Sequence, residues 1–216
     1  MTTRTTVILS LALIAVALAA GPLLWDRLPA QMASHWNAND QVDGTLPKFW
    51  GILLIPLMSL GMLALFMVLP SIDPLKANIA KFRSSFNLFI LLIIAFLLYL
   101  HGLTILWSLG FQGFRMSSAM LPFLGILILF VGYLLRQARR NFFIGIRTPW
   151  TLSSDFVWDK THRLGSNLFM LAGLLTLFGA FLGGAAAIWL TLVPLVVFSL
   201  VLAVYSYLLY RQETKA

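Results

Sequence analysis

Two polar segments of the sequence, residues 28–44 and 139–165, carry the side chains that could do chemistry. Each contains one histidine and two aspartates: His35, Asp40 and Asp43 in the first segment, and His162, Asp155 and Asp159 in the second. Imidazole and carboxylate groups can exchange protons or hold a metal ion, but these spacings match no metal motif, and neither segment offers a convincing nucleophile or a phosphate-binding loop. We therefore expect binding rather than catalysis, with no catalytic residue, no metal site and no cofactor.

The rest of the sequence is too apolar for a protein that folds in water. Of the 216 residues, 60% are hydrophobic and 10% are charged, whereas soluble domains have about 45 to 50% apolar and about 25% charged residues. Apolar runs of roughly the 20 residues that a helix needs to cross a bilayer occur near Thr5–Leu24, Trp50–Leu69, Phe86–Leu109, Ala119–Leu135, Asn167–Leu182 and Ala186–Leu208. The sequence thus predicts an all-α, polytopic membrane protein, a bundle of about six transmembrane helices.

The basic residues predict the orientation of this bundle. With six spans, 12 of the 15 Lys and Arg residues fall on one side of the membrane and three on the other. Cytoplasmic loops carry the excess of such residues. We therefore expect both termini and residues 139–165 in the cytoplasm, residues 28–44 outside, and the protein in the inner or plasma membrane of the cell.

The outside segment contains four turn-forming residues, Asn39, Asp40, Asp43 and Gly44. Such residues predict a compact loop on the membrane surface, and loop geometry alone could explain them. Alternatively, His35 could join the two aspartates in receiving a peptide. The spacing of these residues does not decide between the two interpretations.

The inside segment also has two interpretations. Ser153 or Ser154 can cap a short helix in which Trp158, Thr161 and His162 share one face, a pattern typical of an interfacial helix. The segment could be a positively charged loop that its tryptophans anchor at the lipid headgroups. It could instead bind an acidic partner through its arginines, and basic charge alone does not separate a protein from an anionic lipid.

Both segments contain motifs that point to one family. They are Leu28-Pro29, His35-Trp36-Asn37 and Asp43-Gly44 outside, and Asn141-Phe142-Phe143-Ile144-Gly145-Ile146-Arg147-Thr148-Pro149-Trp150-Thr151-Leu152 and Trp158-Asp159-Lys160-Thr161-His162-Arg163 inside. With these motifs the chain resembles the SdpI family of bacterial membrane proteins along nearly its whole length. The outside motifs resemble the small domain of unknown function that often precedes the SdpI domain. Asp40 departs from that pattern, in which we expect glycine.

The resemblance implies a binding and signalling protein. The family includes an immunity protein that protects a bacterium from its own secreted killing peptide and holds a transcriptional repressor at the membrane. Besides the lipid bilayer, the implied partners are therefore a secreted peptide toxin outside and a repressor protein inside, with no direct contact to nucleic acid.

The resemblance also implies where these partners would bind. The expected ligand-binding residues outside are His35, Trp36, Asn37 and Asp43. The expected partner-binding residues inside are Asn141, Gly145, Arg147, Thr148, Trp150, Trp158, His162 and Arg163. The implied domains are residues 1–85, with two helices and the outside loop, and residues 86–216, an SdpI-like region of four helices.

Two other functions stay open. Three spans in each half, with a polar loop after the first span of each, could be the inverted repeat of a small secondary transporter. Few polar residues, such as Asn87 and His101, lie in the predicted spans, and a substrate pathway usually needs more. A membrane enzyme that uses one of the histidine and aspartate sets ranks last.

Overall fold

The computed structural model describes residues 1–215, in which long helices predominate. The helices and strands are α1 (Thr3–Leu24), β1 (Gln31–Trp36), β2 (Val42–Pro47), α2 (Lys48–Ile72), α3 (Lys76–Ala80), α4 (Arg83–Ser108), α5 (Met116–Gln137), α6 (Pro149–Ser153), α7 (Asp155–Leu182) and α8 (Gly184–Glu213). Helices α1, α2, α4, α5, α7 and α8 are long and apolar enough to cross a membrane. The predicted all-α bundle of six spans is thereby confirmed.

Successive spans run in opposite directions, so their ends form two faces of the bundle. The hairpin face comprises residues 25–47 and 109–115, and the loop face comprises residues 73–82, 138–154 and the two chain ends. Contacts between distant segments support this arrangement at the loop face. The amino group of Met1 donates to the hydroxyl of Ser84 in α4, and the Ser154 hydroxyl donates to Glu213 at the end of α8, at 3.0 Å.

The six spans pack as two groups of three. Helices α1, α2 and α4 contact one another, as do α5, α7 and α8, and α4 joins α5. Helices α5 and α7 approach closely at glycines, since a Cβ at Gly132 would lie 2.9 Å from the backbone of Met170 and of Ser166. Small residues permit such contacts between membrane helices. The division into domains after residue 85 falls just inside α4 and stays a prediction.

The fifth and sixth spans are separate helices, as expected. Gly183 and Gly184, which join them, have φ angles of 69° and 58°, a conformation that glycine adopts without steric cost. The fifth span begins at Asp155 rather than near Asn167, because the Ser154 hydroxyl accepts a hydrogen bond from the N–H of Val157 and caps the helix there. The predicted cap at Ser154 is confirmed, but the helix that it begins is not short, and its residues form the first turns of α7.

The outside segment forms an antiparallel hairpin of β1 and β2, which the sequence analysis did not predict. The hairpin lies on the helices through a small apolar cluster of buried side chains: Leu28, Met32, Ile52 and Ile105. Met32 is fully buried, and a Cβ at Gly51 of α2 would overlap its side chain. A glycine at this position thus lets the first strand lie directly on the helix.

Candidate binding sites on the two faces

The turn of the hairpin is held by Asn37, one of the residues expected to bind a ligand. Its Oδ1 accepts hydrogen bonds from the backbone N–H groups of Asn39, at 2.9 Å, and Gln41, at 3.1 Å. Between them, Asp40 has a φ angle of 59°. This conformation favours glycine but is also open to aspartate, which explains how Asp40 stands where glycine is expected. The polar atoms of Asn37 therefore act within the loop.

Asp40 joins the hairpin to the second group of helices. Its carboxylate accepts hydrogen bonds from the backbone N–H of Ser117, at 2.7 Å, and from the Ser117 hydroxyl, at 2.6 Å. Ser117 lies in the first turn of α5, where a carboxylate satisfies a free N–H group and complements the helix dipole. The sequence points to Asp40 as a turn residue but does not indicate this contact, which we call the Asp40–Ser117 latch.

His35 and Asp43, two of the expected ligand-binding residues, meet on the hairpin. The Nδ1 atom of His35 lies 2.5 Å from Oδ1 of Asp43, because His35 pairs with Gly44 in the strand register. Their side chains are 70% and 45% exposed. The neighbouring Trp36 packs edge-on against Trp107 of α4, with ring centroids 5.7 Å apart. The hairpin face thus presents an exposed polar pair beside an anchored aromatic ring.

A cavity of about 380 Å³ lies beneath the hairpin. Residues of β1, α2, α4 and α5 line it, with Ile188 of α8 at one side. Its lining includes Trp36 from the hairpin and the buried His101 from α4. The sequence analysis considered His101 only as one of the few polar residues within a span.

On the loop face, Asn141 holds the chain between α5 and α6. Its Nδ2 donates to the carbonyls of Arg139 and Ile144, both at 2.8 Å. Its Oδ1 accepts from the N–H groups of Phe143, at 2.9 Å, and Ile144, at 2.6 Å. Asn141 is fully buried, so this expected partner-binding residue shapes the loop and lies beneath its surface.

Trp158 and His162 form the buried support of the same loop. Their rings stack with centroids 3.9 Å apart, and the Trp158 indole N–H donates to the carbonyl of Ala138 at 3.0 Å. The Ile146 N–H donates to Nε2 of His162 at 3.0 Å, so Nδ1 carries the proton that bonds the Trp158 carbonyl at 2.9 Å. Gly145 has a φ of 122°, and a Cβ there would overlap the imidazole.

The short helix α6 is fixed to the end of α8. Thr148 caps α6 in a reciprocal arrangement with Thr151, and its hydroxyl lies 3.0 Å from that of Ser206. Trp150 packs against Tyr207 with ring centroids 5.1 Å apart. These two expected partner-binding residues therefore set the position of α6 against the last span.

Arg147 and Arg163 are the expected partner-binding residues whose side chains are exposed. The Arg147 guanidinium donates to the carbonyl of Phe142 at 2.9 Å, which orients it on the surface of the loop. Arg163 lies on the exposed side of α7. These two arginines are therefore accessible on the loop face, whereas the other expected residues lie deeper or hold the loop.

Asp73 is a site residue that sequence reasoning missed. It is 2% exposed, and its carboxylate accepts hydrogen bonds from the N–H groups of Leu75, at 2.6 Å, and Phe142, at 2.9 Å. The link between the end of α2 and the loop between α5 and α6 thus depends on this residue. The signal in the sequence that could have indicated it is that Asp73 is the one acidic residue in the segment between α2 and α4, where the other charged residues, Lys76 and Lys81, are basic.

The fold and these two sites define a multi-pass membrane protein with a structured polar site at each end of its bundle. Within residues 1–215, no cluster of three His, Asp or Glu residues is arranged to hold a metal ion.

Comparisons with known proteins support the same resemblance. Residues 137–208 match the SdpI/YfhL protein family, and residues 12–60 match the Domain of unknown function (DUF1648). The chain is 29% identical to the "Immunity protein SdpI" of Bacillus subtilis (strain 168) over 203 residues, which cover 93% of this chain and 94% of the relative. No solved structure matches the chain. The resemblance to the SdpI family seen in the sequence is confirmed by these matches.

Proposed function

We propose that this protein is a membrane immunity and signalling protein that binds a secreted antimicrobial peptide on its hairpin face and a transcriptional repressor on its loop face. The observation that carries the proposal is the similarity to an immunity protein along nearly the full length of both chains. This similarity includes the segments that build both candidate sites.

The charges of the two faces support the assignment of partners. With the adjoining helix ends included, the hairpin face has three acidic and three basic residues, whereas the loop face has four acidic and 12 basic ones. A hydrophobic, cationic peptide would meet less repulsion at the hairpin face, beside the exposed pair of His35 and Asp43. An acidic protein surface would be attracted to the loop face and to Arg147. The same excess of basic residues supports an orientation with the loop face and both termini in the cytoplasm.

The local structure supports binding at positions held by the fold. On the hairpin face, the Asn37 turn and the Asp40–Ser117 latch fix the strands that carry His35 and Asp43. On the loop face, Asn141 fixes the loop that carries Arg147. Sites built on such preorganised segments lose less conformational entropy when a partner binds.

Survival of a sensitive bacterium tests the immunity function. A Bacillus subtilis strain that lacks its own SdpI, and is therefore expected to be sensitive to the corresponding secreted peptide, would express this chain or carry an empty vector. We expect higher survival with the chain, and a lower benefit for the double variant His35→Ala, Asp43→Ala at equal abundance in the membrane. Survival no better than with the empty vector, for this peptide and for others that kill the host, would refute the immunity function.

A small secondary transporter is the second candidate, favoured by the packing of the spans in two groups of three. A second cavity, of about 270 Å³, lies toward the loop face and, like the first, is lined by α2, α4 and α5. A transporter that opens alternately to the two sides of the membrane would use two such cavities, one toward each face, between its two groups of three helices. Proteoliposomes that contain the protein and show neither substrate nor proton flux would remove this candidate.

A further inference from the structure

We propose that the cavity beneath the hairpin is a binding site for a phenol, that is, a neutral aromatic ring that carries a hydroxyl group. The cavity of about 380 Å³ lies between β1, α2, α4 and α5. Its volume falls within the range of about 300 to 1,000 Å³ that is typical of sites for small molecules. The cavity adjoins the exposed pair of His35 and Asp43, since His35 belongs to its lining, but its occupation does not require a peptide.

The walls of the cavity suit a neutral aromatic ring. They are mainly apolar and include the rings of Trp36 and Trp50 and the thioethers of Met116 and Met120. Methionine sulfur makes favourable contacts with aromatic rings. The lining contains no Lys or Arg, although the chain has 15 of them. An anionic ligand would therefore find no counter-charge here.

The polar groups of the cavity call for a hydroxyl. His101 is 1% exposed, and neither of its ring nitrogens has a hydrogen-bond partner within residues 1–215. The Trp36 Nε1 is likewise buried without a partner in the described chain. Thr104, one turn away, donates to the His101 carbonyl at 2.7 Å, so its proton does not serve the imidazole. Buried polar groups are nearly always paired, and an unpaired one is costly.

A phenolic hydroxyl can supply the missing partner. A neutral imidazole has one donor and one acceptor, and an indole N–H only donates. A hydroxyl both donates and accepts, so it can pair with either nitrogen of His101 or accept from Trp36. An indole ligand could serve only the acceptor nitrogen, and a purely hydrocarbon ligand would leave all these groups unpaired. The hydroxyl therefore distinguishes a phenol from other aromatic ligands of similar size.

This chemistry has two sources, a free small phenol and the tyrosine side chain of a peptide. The second source rests on the proposed function, because a peptide bound at the hairpin could insert such a side chain past β1. The first source is independent of the proposed function. A binding experiment with small probes therefore tests the site whether or not the protein confers immunity.

The test compares p-cresol with toluene, which have the same ring and methyl group and differ in the hydroxyl. Binding to the full-length protein in lipid nanodiscs would be measured by equilibrium dialysis, with empty nanodiscs to correct for partition into lipid. We expect the wild type to prefer p-cresol about tenfold. His101→Asn, which keeps a donor and an acceptor, should retain most of this preference, and His101→Phe should lose it.

Further variants keep the test decisive where His101→Phe fails to fold. Met120→Trp fills the cavity while it leaves His101 in place, and should abolish binding of both probes without loss of the thermal unfolding transition. Equal binding of p-cresol and toluene by the wild type would overturn the proposal, because the ligand hydroxyl would then form no hydrogen bond with His101 or Trp36. A preference that persists in His101→Phe would overturn it as well.

Two peptides distinguish the sources. An acetylated and amidated pentapeptide with one tyrosine among leucines would compete with p-cresol, alongside the same peptide with phenylalanine. Displacement by the tyrosine peptide alone assigns the site to a peptide side chain. Binding of p-cresol without displacement by either peptide assigns it to a free phenol, and both results support the site. A failure of the survival experiment would bear on the proposed function and leave this measurement unaffected.

Discussion

Replacement of Asn141 by alanine tests whether this side chain holds the loop that carries Arg147. The substitution removes four hydrogen bonds to the backbone of residues 139–144 and leaves the buried N–H of Ile144 without its partner. Each bond contributes about 0.5 to 1.5 kcal/mol net, and an unpaired buried group costs about 1 to 3 kcal/mol. Because the four bonds share one side chain and do not add independently, we expect the free energy of opening the loop to fall by about 2 to 4 kcal/mol.

Limited proteolysis measures this opening directly. The loop contains the trypsin sites Arg139, Arg140 and Arg147, and a protease must open the local structure before it can cleave. When the loop closes faster than it is cut, the cleavage rate follows the population of the open form. A loss of about 2 to 4 kcal/mol then corresponds to about a 30- to 700-fold faster cleavage of the purified protein in detergent.

Two further variants on the same face make the result specific. Asn141→Asp keeps the oxygen that accepts from Phe143 and Ile144, and should lie between the wild type and Asn141→Ala. Asn78→Ala removes one bond to this loop, to the Arg140 carbonyl at 2.9 Å, and an exposed bond from Lys81. It should accelerate cleavage by less than about tenfold. Cleavage of Asn141→Ala at the wild-type rate, or a larger effect from Asn78→Ala, would refute the role given to Asn141.

Three further predictions concern backbone strain, the latch and surface charge. Gly145→Ala should lower the free energy of unfolding by at least about 2 kcal/mol and Gly110→Ala by about 1 kcal/mol. Both glycines have a positive φ, but only a Cβ at Gly145 would meet another side chain. Equal thermal midpoints of the two variants would contradict this. Asp40→Gly should cost about 1 kcal/mol and Asp40→Ala about 2 kcal/mol, because both lose the cap on α5 and alanine adds strain; an Asp40→Gly variant that unfolds at the wild-type temperature or above would show that the latch is unimportant. Arg147→Ala should impair immunity or repressor retention in cells more than Arg136→Ala, which removes only flanking charge; equal, negligible effects would speak against a specific site.

The six spans could be predicted from the sequence because each is determined locally. A chain in lipid must satisfy its backbone within one helix, so a long apolar run is sufficient evidence of a span. The hairpin lacked such a signal, since Met32 is the only fully buried residue of β1 and no regular alternation of apolar and polar residues marks the strand. Its structure depends on the turn at Asn37 and on packing against α2, which no short pattern records.

The sites were predicted less completely than the fold because their contacts join distant parts of the chain. The Phe142 N–H bonds Asp73, 69 positions earlier, and Ser117 bonds Asp40, 77 positions earlier. The inside motif pointed to Asn141 and Trp158, but a motif does not separate a residue that touches a partner from one that shapes a loop. Burial separates the two groups here: Asn141 and Trp158 lie beneath the surface of the loop, whereas Arg147 and Arg163 are exposed.

The distinction between immunity and signalling depends on whether the two faces communicate. Helix α2 follows β2 directly and ends at Asp73, which accepts a hydrogen bond from the loop between α5 and α6. Helix α5 begins at the Asp40–Ser117 latch and ends beside Ala138, whose carbonyl accepts a hydrogen bond from Trp158. Each helix spans more than 30 Å at about 1.5 Å per residue. A bound peptide can alter the loop only if it favours one of two arrangements of these helices. Under the proposed function, capture of a toxin requires only the hairpin face, whereas a signal requires that α2 or α5 move as a unit between its two attachments.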